Sequence, residues 1–151
     1  MSNYDILSSL YSSTAGAAWI AKPNWMSGEP CAAEWFKVTC SGGGEITELL
    51  LGTNDLGGTI PTEIGGLTAI KKLAVFGNNL TGTIPSEIGR LTALAFAFKL
   101  YSNSLTGSLP SELGMATAVK CCWTLDDNSF SVRSAVIVAL SLTGSSPPPS
   151  P

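Results

Sequence analysis

The chain reads as an α/β solenoid, right-handed, with a parallel β-sheet on its concave face and a separate cap at its N-terminus. Two observations predict this. Aligned on their Ile-Pro or Leu-Pro dipeptides, Ile46 to Pro61, Ile70 to Pro85 and Ala95 to Pro110 share the frame L-x-x-L-x-L-x-x-N-x-L-x-G-x-I-P, followed by x-E-I-G-x-L. The residues before that stretch carry no copy of the frame but hold all the tryptophans except Trp123, as expected of a segment that closes the open end of a stack.

A period in the twenties with this spacing of leucines resembles leucine-rich repeats. Each copy supplies one short strand. Leu49 and Leu51, Leu73 and Val75, and Phe98 and Leu100 alternate with other residues at period two, so they face the core and their neighbours face out. Stacked copies then form the parallel sheet. Asn54, Asn78, Asn103 and Asn128 recur where the strands end, and an amide there both donates to and accepts from the backbone of the turn, which makes a structural ladder. Gly58, Gly82 and Gly107 let the backbone pass, and Pro61, Pro85 and Pro110 fix the turn that follows. Glu63, Glu87 and Glu112 fall at the start of a short helical segment, where acidic side chains favour exposed amides; a cation-binding column is the other reading.

Four segments follow from this frame: a cap over 1–45, three full repeats and one partial over 46–130, a C-terminal cover over 131–144 and a Pro-rich tail over 145–151. In the cap, Ile6, Leu7, Leu10 and Tyr11 fall at helical spacing and predict an amphipathic helix from about Asp5 to Ser12. Trp19, Asn24-Trp25, Pro30-Cys31, Trp35 and Val38-Thr39-Cys40 follow. With repeats ending in G-x-I-P-x-E-I-G, this order resembles plant-type leucine-rich repeat proteins over about residues 4 to 130, such as receptor-like kinase ectodomains and polygalacturonase-inhibitor-like proteins. The resemblance implies a Cys31–Cys40 disulfide; on the residues alone, two buried reduced thiols would serve as well. It departs at Lys37, where the family has glycine before the valine, so a different local turn is expected there.

The third and fourth copies are one residue longer before the asparagine, which reads as a longer strand. Alternation then sends Leu94, Phe96, Phe98 and Leu100 inward with Ala95, Ala97, Lys99 and Tyr101 outward. It likewise places Val119, Cys121, Trp123 and Leu125 inside and Lys120, Cys122, Thr124 and Asp126 outside. Adjacent cysteines on opposite faces are poorly placed to bond each other, leaving Cys122 as a reactive thiol or simply a small residue on a half-covered edge. Beyond Asn128 only Phe130 keeps the frame; Ser134 to Leu142 serves as a helical or strand cover, and Ser145 to Pro151 as an extended tail resembling hydroxyproline-rich wall segments.

Composition narrows the function. Of 151 residues 44% are hydrophobic and 13% charged, enough to bury one core, and 8 basic against 11 acidic side chains lack the surplus of a nucleic-acid binder. No apolar run reaches membrane-helix length. Histidine is absent, as are a Gly-rich phosphate loop and metal-ligand spacing, so no catalysis, metal or cofactor is expected. Recognition remains, by a monomer whose concave face binds a protein, peptide or glycan. Its columns read Glu48, Lys72, Ala97, Cys122; then Leu50, Ala74, Lys99, Thr124; then Gly52, Phe76, Tyr101, Asp126. Phe76 and Tyr101, flanked by Lys72, Lys99 and Asp126, form the candidate anchor; alternatively the two rings stack to shield the sheet.

Other readings are a truncated receptor-like kinase ectodomain, an intracellular scaffold, and an ice- or polysaccharide-binding surface built on Thr59, Thr83 and Ser108 with Thr81 and Thr106. A disulfide and the sequon Asn79-Leu80-Thr81 suit an extracellular or cell-wall protein with a possible glycan on Asn79. Met1 to Asp5 shows no signal peptide, so that location requires one missing from the chain; a cytoplasmic protein would keep Cys31 and Cys40 reduced.

Overall fold

Each copy of the repeat turns at its recurring asparagine and lays one short strand beside the last. The computed structural model describes residues 1–115 and 123–131. Val119 to Cys122, the Ser134–Leu142 cover and the tail lie outside the described residues.

The main sheet has five strands: β1 (Val38–Cys40), β2 (Ile46–Leu50), β4 (Lys72–Ala74), β6 (Ala97–Lys99) and β8 (Trp123–Thr124), adjacent in that order. From β2 onward every pairing is parallel. β1 pairs antiparallel with β2, an addition to the expected sheet supplied by the N-terminal segment. On the far side of each coil, β3 (Gly57–Thr59) pairs with β5 (Asn79–Thr81), and β7 (Thr106–Gly107) with β9 (Ser129–Phe130). Between the two layers run 3-10 turns, Thr62–Gly66, Ser86–Arg90 and Ser111–Met115, each opening on the repeat's Pro-x-Glu. Their glutamates accept from the preceding hydroxyls of Thr62, Ser86 and Ser111 at 3.3 Å.

The core is a stack of the frame's apolar positions: Leu49, Leu51, Leu56, Ile70, Leu80, Leu91, Leu94, Phe98, Leu100 and Leu105 are each within 1% of full burial. The asparagines bind it along the solenoid. Asn78 accepts from the amides of Asn54 and Leu56 at 2.9 and 3.0 Å and donates to the carbonyls of Leu51, Val75 and Phe76. Asn103 and Asn128 repeat the pattern one and two coils on. No coil precedes Asn54, and its amide turns instead to Ala21, accepting from the Ala21 amide at 2.7 Å and donating to its carbonyl at 2.8 Å.

The N-terminal segment therefore meets the array as another coil would. Its helix α1 (Asn3–Ser13) begins two residues before the expected Asp5, because the Ser2 hydroxyl accepts from the Asp5 amide while the Asp5 carboxylate accepts from the Ser2 amide, a reciprocal cap. Ile6, Leu7 and Leu10 are buried against the first coil. Gly58, in the left-handed region at φ 81°, passes so close to the Ser13 carbonyl that any Cβ would collide with it. Behind α1 the rings interlock: Trp25 lies 4.6 Å from Trp19 and 4.8 Å from Trp35, and Tyr4 meets Trp35 edge-on at 5.7 Å. The three indoles donate to the carbonyls of Thr14, Phe36 and Ser27, so none of these buried rings strands its N–H. Cys31 and Cys40 are joined by a disulfide with Cα atoms 5.8 Å apart, and closing that short loop stabilises the fold by roughly 2 to 3 kcal/mol on the chain-entropy model.

One expectation fails locally. Phe96, expected inside, is 58% exposed. The extra residue of the third coil does not lengthen its strand; it forms a bulge in which the amides of Ala95 and Phe96 both donate to the Lys71 carbonyl, at 3.3 and 3.0 Å, and this turns Phe96 outward. Lys37, which stands where the resemblance has glycine, lies in the left-handed region at φ 63°.

Candidate functional site

Register places the predicted columns on one face. Glu48 pairs with Lys72 and Lys72 with Ala97; Leu50 pairs with Ala74, Ala74 with Lys99 and Lys99 with Thr124. The third column continues past the strands: the Thr53 amide donates to the Phe76 carbonyl, that of Gly77 to Tyr101 and that of Ser102 to Asp126. Cys122 lies outside the described residues.

Lys72 and Glu48 form a salt bridge at 2.8 Å. With these side chains 40% and 26% exposed, such a pair contributes at most about 1 kcal/mol. Phe76 and Tyr101 are half-buried and stack at 4.8 Å with ring planes 7° apart. On its other side Phe76 lies over Gly52, in the space a side chain there would need. The pair thus shields the sheet, as one of the two sequence readings has it, while its edges remain at the surface. Thr124, expected on the outward face, is half-buried, and its hydroxyl has no hydrogen-bond partner among the described residues. Asp126 is exposed.

An open groove of about 580 Å³ runs across this face. Leu50, Lys72, Phe76 and Lys99 line it, together with Lys37 and Phe96, two residues not expected there. Lys37 could have been suspected from its place in the segment leading into β1. Phe96 could not, because alternation reads the bulged residue onto the wrong face.

The threonine surface lies elsewhere. Thr59, Thr81, Thr83 and Thr106 are exposed, with Thr59 in register with Thr81. The Thr81 and Thr106 hydroxyls donate to the carbonyls of Gly58 and Gly82, at 3.1 and 3.4 Å, tying coils together. Asn79 is exposed at the start of β5, and its side-chain amide donates to the Asp55 carboxylate, a bond a glycan would have to displace. Among the described residues no cluster of His, Cys, Asp and Glu could hold a metal ion, and no helix is long and apolar enough to cross a membrane.

Comparison with known proteins agrees with this geometry. Residues 69–91 match the family model described as Leucine Rich Repeat. Over 54 residues the chain is 34% identical to a probable leucine-rich repeat receptor-like protein kinase of Arabidopsis thaliana, a match covering 36% of this chain and 6% of that protein. Among solved structures, the PEPR1–AtPEP1 structure superposes with a TM-score of 0.72 at 26% identity, over 85% of this chain and 18% of the other. A chain of the BIR3–SERK2 complex from Arabidopsis thaliana gives 0.67 at 27% identity, over 83% and 68%. The chain thus spans only a small part of the receptor-like relative it matches. Residues 69–91 are a leucine-rich repeat, and the fold of the chain is like that of plant leucine-rich repeat ectodomains.

Proposed function

We propose that the chain is a non-enzymatic recognition module whose concave face binds a protein, peptide or glycan partner. The observation that carries this reading is the Phe76–Tyr101 pair: two half-buried aromatic rings stack at 4.8 Å, and Phe76 lines an open groove on a parallel sheet. Preorganised aromatic side chains concentrate binding energy because little conformational freedom remains to be lost on contact. The solved structures of similar proteins include complexes, among them BIR3 with SERK2, which favours a macromolecular partner.

In this reading the solenoid is right-handed, residues 1–45 are its cap, and the module acts as a monomer. The Cys31–Cys40 disulfide and the likeness to a receptor-like protein favour work outside the cell, at the wall or surface, over a cytoplasmic scaffold. The threonine surface is the weaker candidate, since the Thr81 and Thr106 hydroxyls already donate to carbonyls of the preceding coil.

The test compares partner capture from the extracellular fraction of native cells by the wild type, by Phe76→Ala with Tyr101→Ala, and by Thr59→Ala with Thr83→Ala. Loss with the ring variant alone, with circular dichroism unchanged, is expected. Loss with the threonine variant alone would move the site to the far face.

A further inference from the structure

Two irregularities of the chain meet in the concave groove. Lys37 sits in the left-handed region at φ 63°, a conformation that favours glycine over a residue with a side chain. The turn is held by the Val38 amide, which donates to the Trp35 carbonyl at 3.0 Å, and by the Lys37 carbonyl, which accepts from Leu50 at 3.1 Å. The second irregularity is the bulge that turns Phe96 out to 58% exposure. Both side chains line the same groove.

Register turns this into a row. Lys37 is bonded beside Leu50, Leu50 pairs with Ala74, and Ala74 pairs with Lys99. An apolar floor two strands wide is bracketed by a lysine at each end, with Phe96 and Phe76 also lining the groove. Three strand spacings separate the backbones of the two lysines by about 14 Å. Lys72 is paired to Glu48, whereas Lys37 and Lys99 have no carboxylate partner among the described residues. The Lys37 ammonium rests 5.5 Å from the centre of the Phe36 ring, a contact that a carboxylate readily supplants. In a chain of net charge -3, two unpaired cations flanking one apolar floor are a local feature.

We infer that this row is a subsite for an extended acidic peptide crossing the strands, with carboxylates at positions i and i+4 bracketing an apolar side chain at i+2. The inference rests on the concave-face reading and specifies its ligand. In an extended chain, side chains at i, i+2 and i+4 share one face and the outer two are about 14 Å apart, matching the lysines. The apolar residue takes the Leu50–Ala74 floor, and the peptide backbone stays at the open rim. A sugar fits less well, because the Leu50 and Ala74 side chains that floor the groove offer its hydroxyls no hydrogen-bond partner.

The test uses fluorescein-labelled, end-blocked Glu-Ser-Leu-Ser-Glu, its Gln-Ser-Leu-Ser-Gln counterpart, a Glu-Glu-Ser-Leu-Ser spacing control and a uronic-acid oligosaccharide, read by fluorescence anisotropy on the intact chain. The acidic peptide should bind about tenfold tighter than the glutamine and spacing controls, and weaken with added salt. Lys37→Gln and Lys99→Gln should each remove most of that preference, and Phe96→Ala should weaken binding of the acidic peptide with circular dichroism unchanged. Equal binding of acidic and glutamine peptides, an unaltered preference in Lys99→Gln, or tighter binding of the oligosaccharide overturns the inference. If the peptides fail while Phe76→Ala with Tyr101→Ala still abolishes partner capture, the subsite falls and the concave-face reading stands.

Discussion

The N-terminal segment and the repeat array solve the same problem by opposite means. The array distributes its stability: each coil contributes a few leucines and one asparagine whose amide joins it to the coil before. The N-terminal segment concentrates it in five interlocked rings, a disulfide and a reciprocally capped helix. The two systems meet at Asn54, which bonds Ala21 as Asn78 bonds the first coil. A repeat needs a neighbour on each side, and an irregular segment satisfies that need when it presents the same backbone groups in the same place.

Trp35→Ala should be the most damaging single change. The ring is 1% exposed and touches both Trp25 and Tyr4, so its loss should cost about 4 kcal/mol by chemical denaturation. Next comes Asn78→Ala, which unpairs the amides of Asn54 and Leu56 and removes a donor from three carbonyls, of which Val75 and Phe76 keep another; about 3 kcal/mol is expected, with less at the half-buried Asn128. An Asn78→Ala effect below 1 kcal/mol would mean that the ladder does not bind the coils.

Much of this was legible because the repeat states each choice several times. The inward leucines, the asparagine ladder and the pairing of Glu48 with Lys72 and of Leu50 with Ala74 follow from period two and a fixed copy length. What escaped was not fixed by the repeat. One additional residue in the third coil is compatible with a longer strand or with a bulge, and the two put Phe96 on opposite faces. The contacts among Tyr4, Tyr11 and the three N-terminal tryptophans join distant positions with no period to reveal them. The pairing of β1 with β2 likewise depends on where the irregular segment returns to the sheet.

Lys37→Gly sharpens the comparison with a smaller change of opposite sign. It relieves the backbone at φ 63° and should stabilise the fold by up to about 1 kcal/mol, a rise in melting temperature of a few degrees. A fall would show that the lysine side chain contributes more than its backbone costs. The smallest effect should come from pH at the helix start. Backbone and hydroxyl hydrogen bonds from Ser2 hold the Asp5 carboxyl below its usual pKa. Its contribution is therefore complete above the ordinary carboxylate range and is lost as pH falls through the lowered folded value. Asp5→Asn should flatten that part of the acid limb, and an unchanged limb would assign it to other carboxylates.

The central claim, that this module recognises its partner through the concave face, is tested most directly by carbene footprinting of the chain with and without the captured partner. Protection is predicted at Phe76, Phe96, Lys99 and Tyr101, with Thr59, Thr81 and Thr83 labelled as before. Protection of the threonines with the aromatic groove still labelled would contradict it.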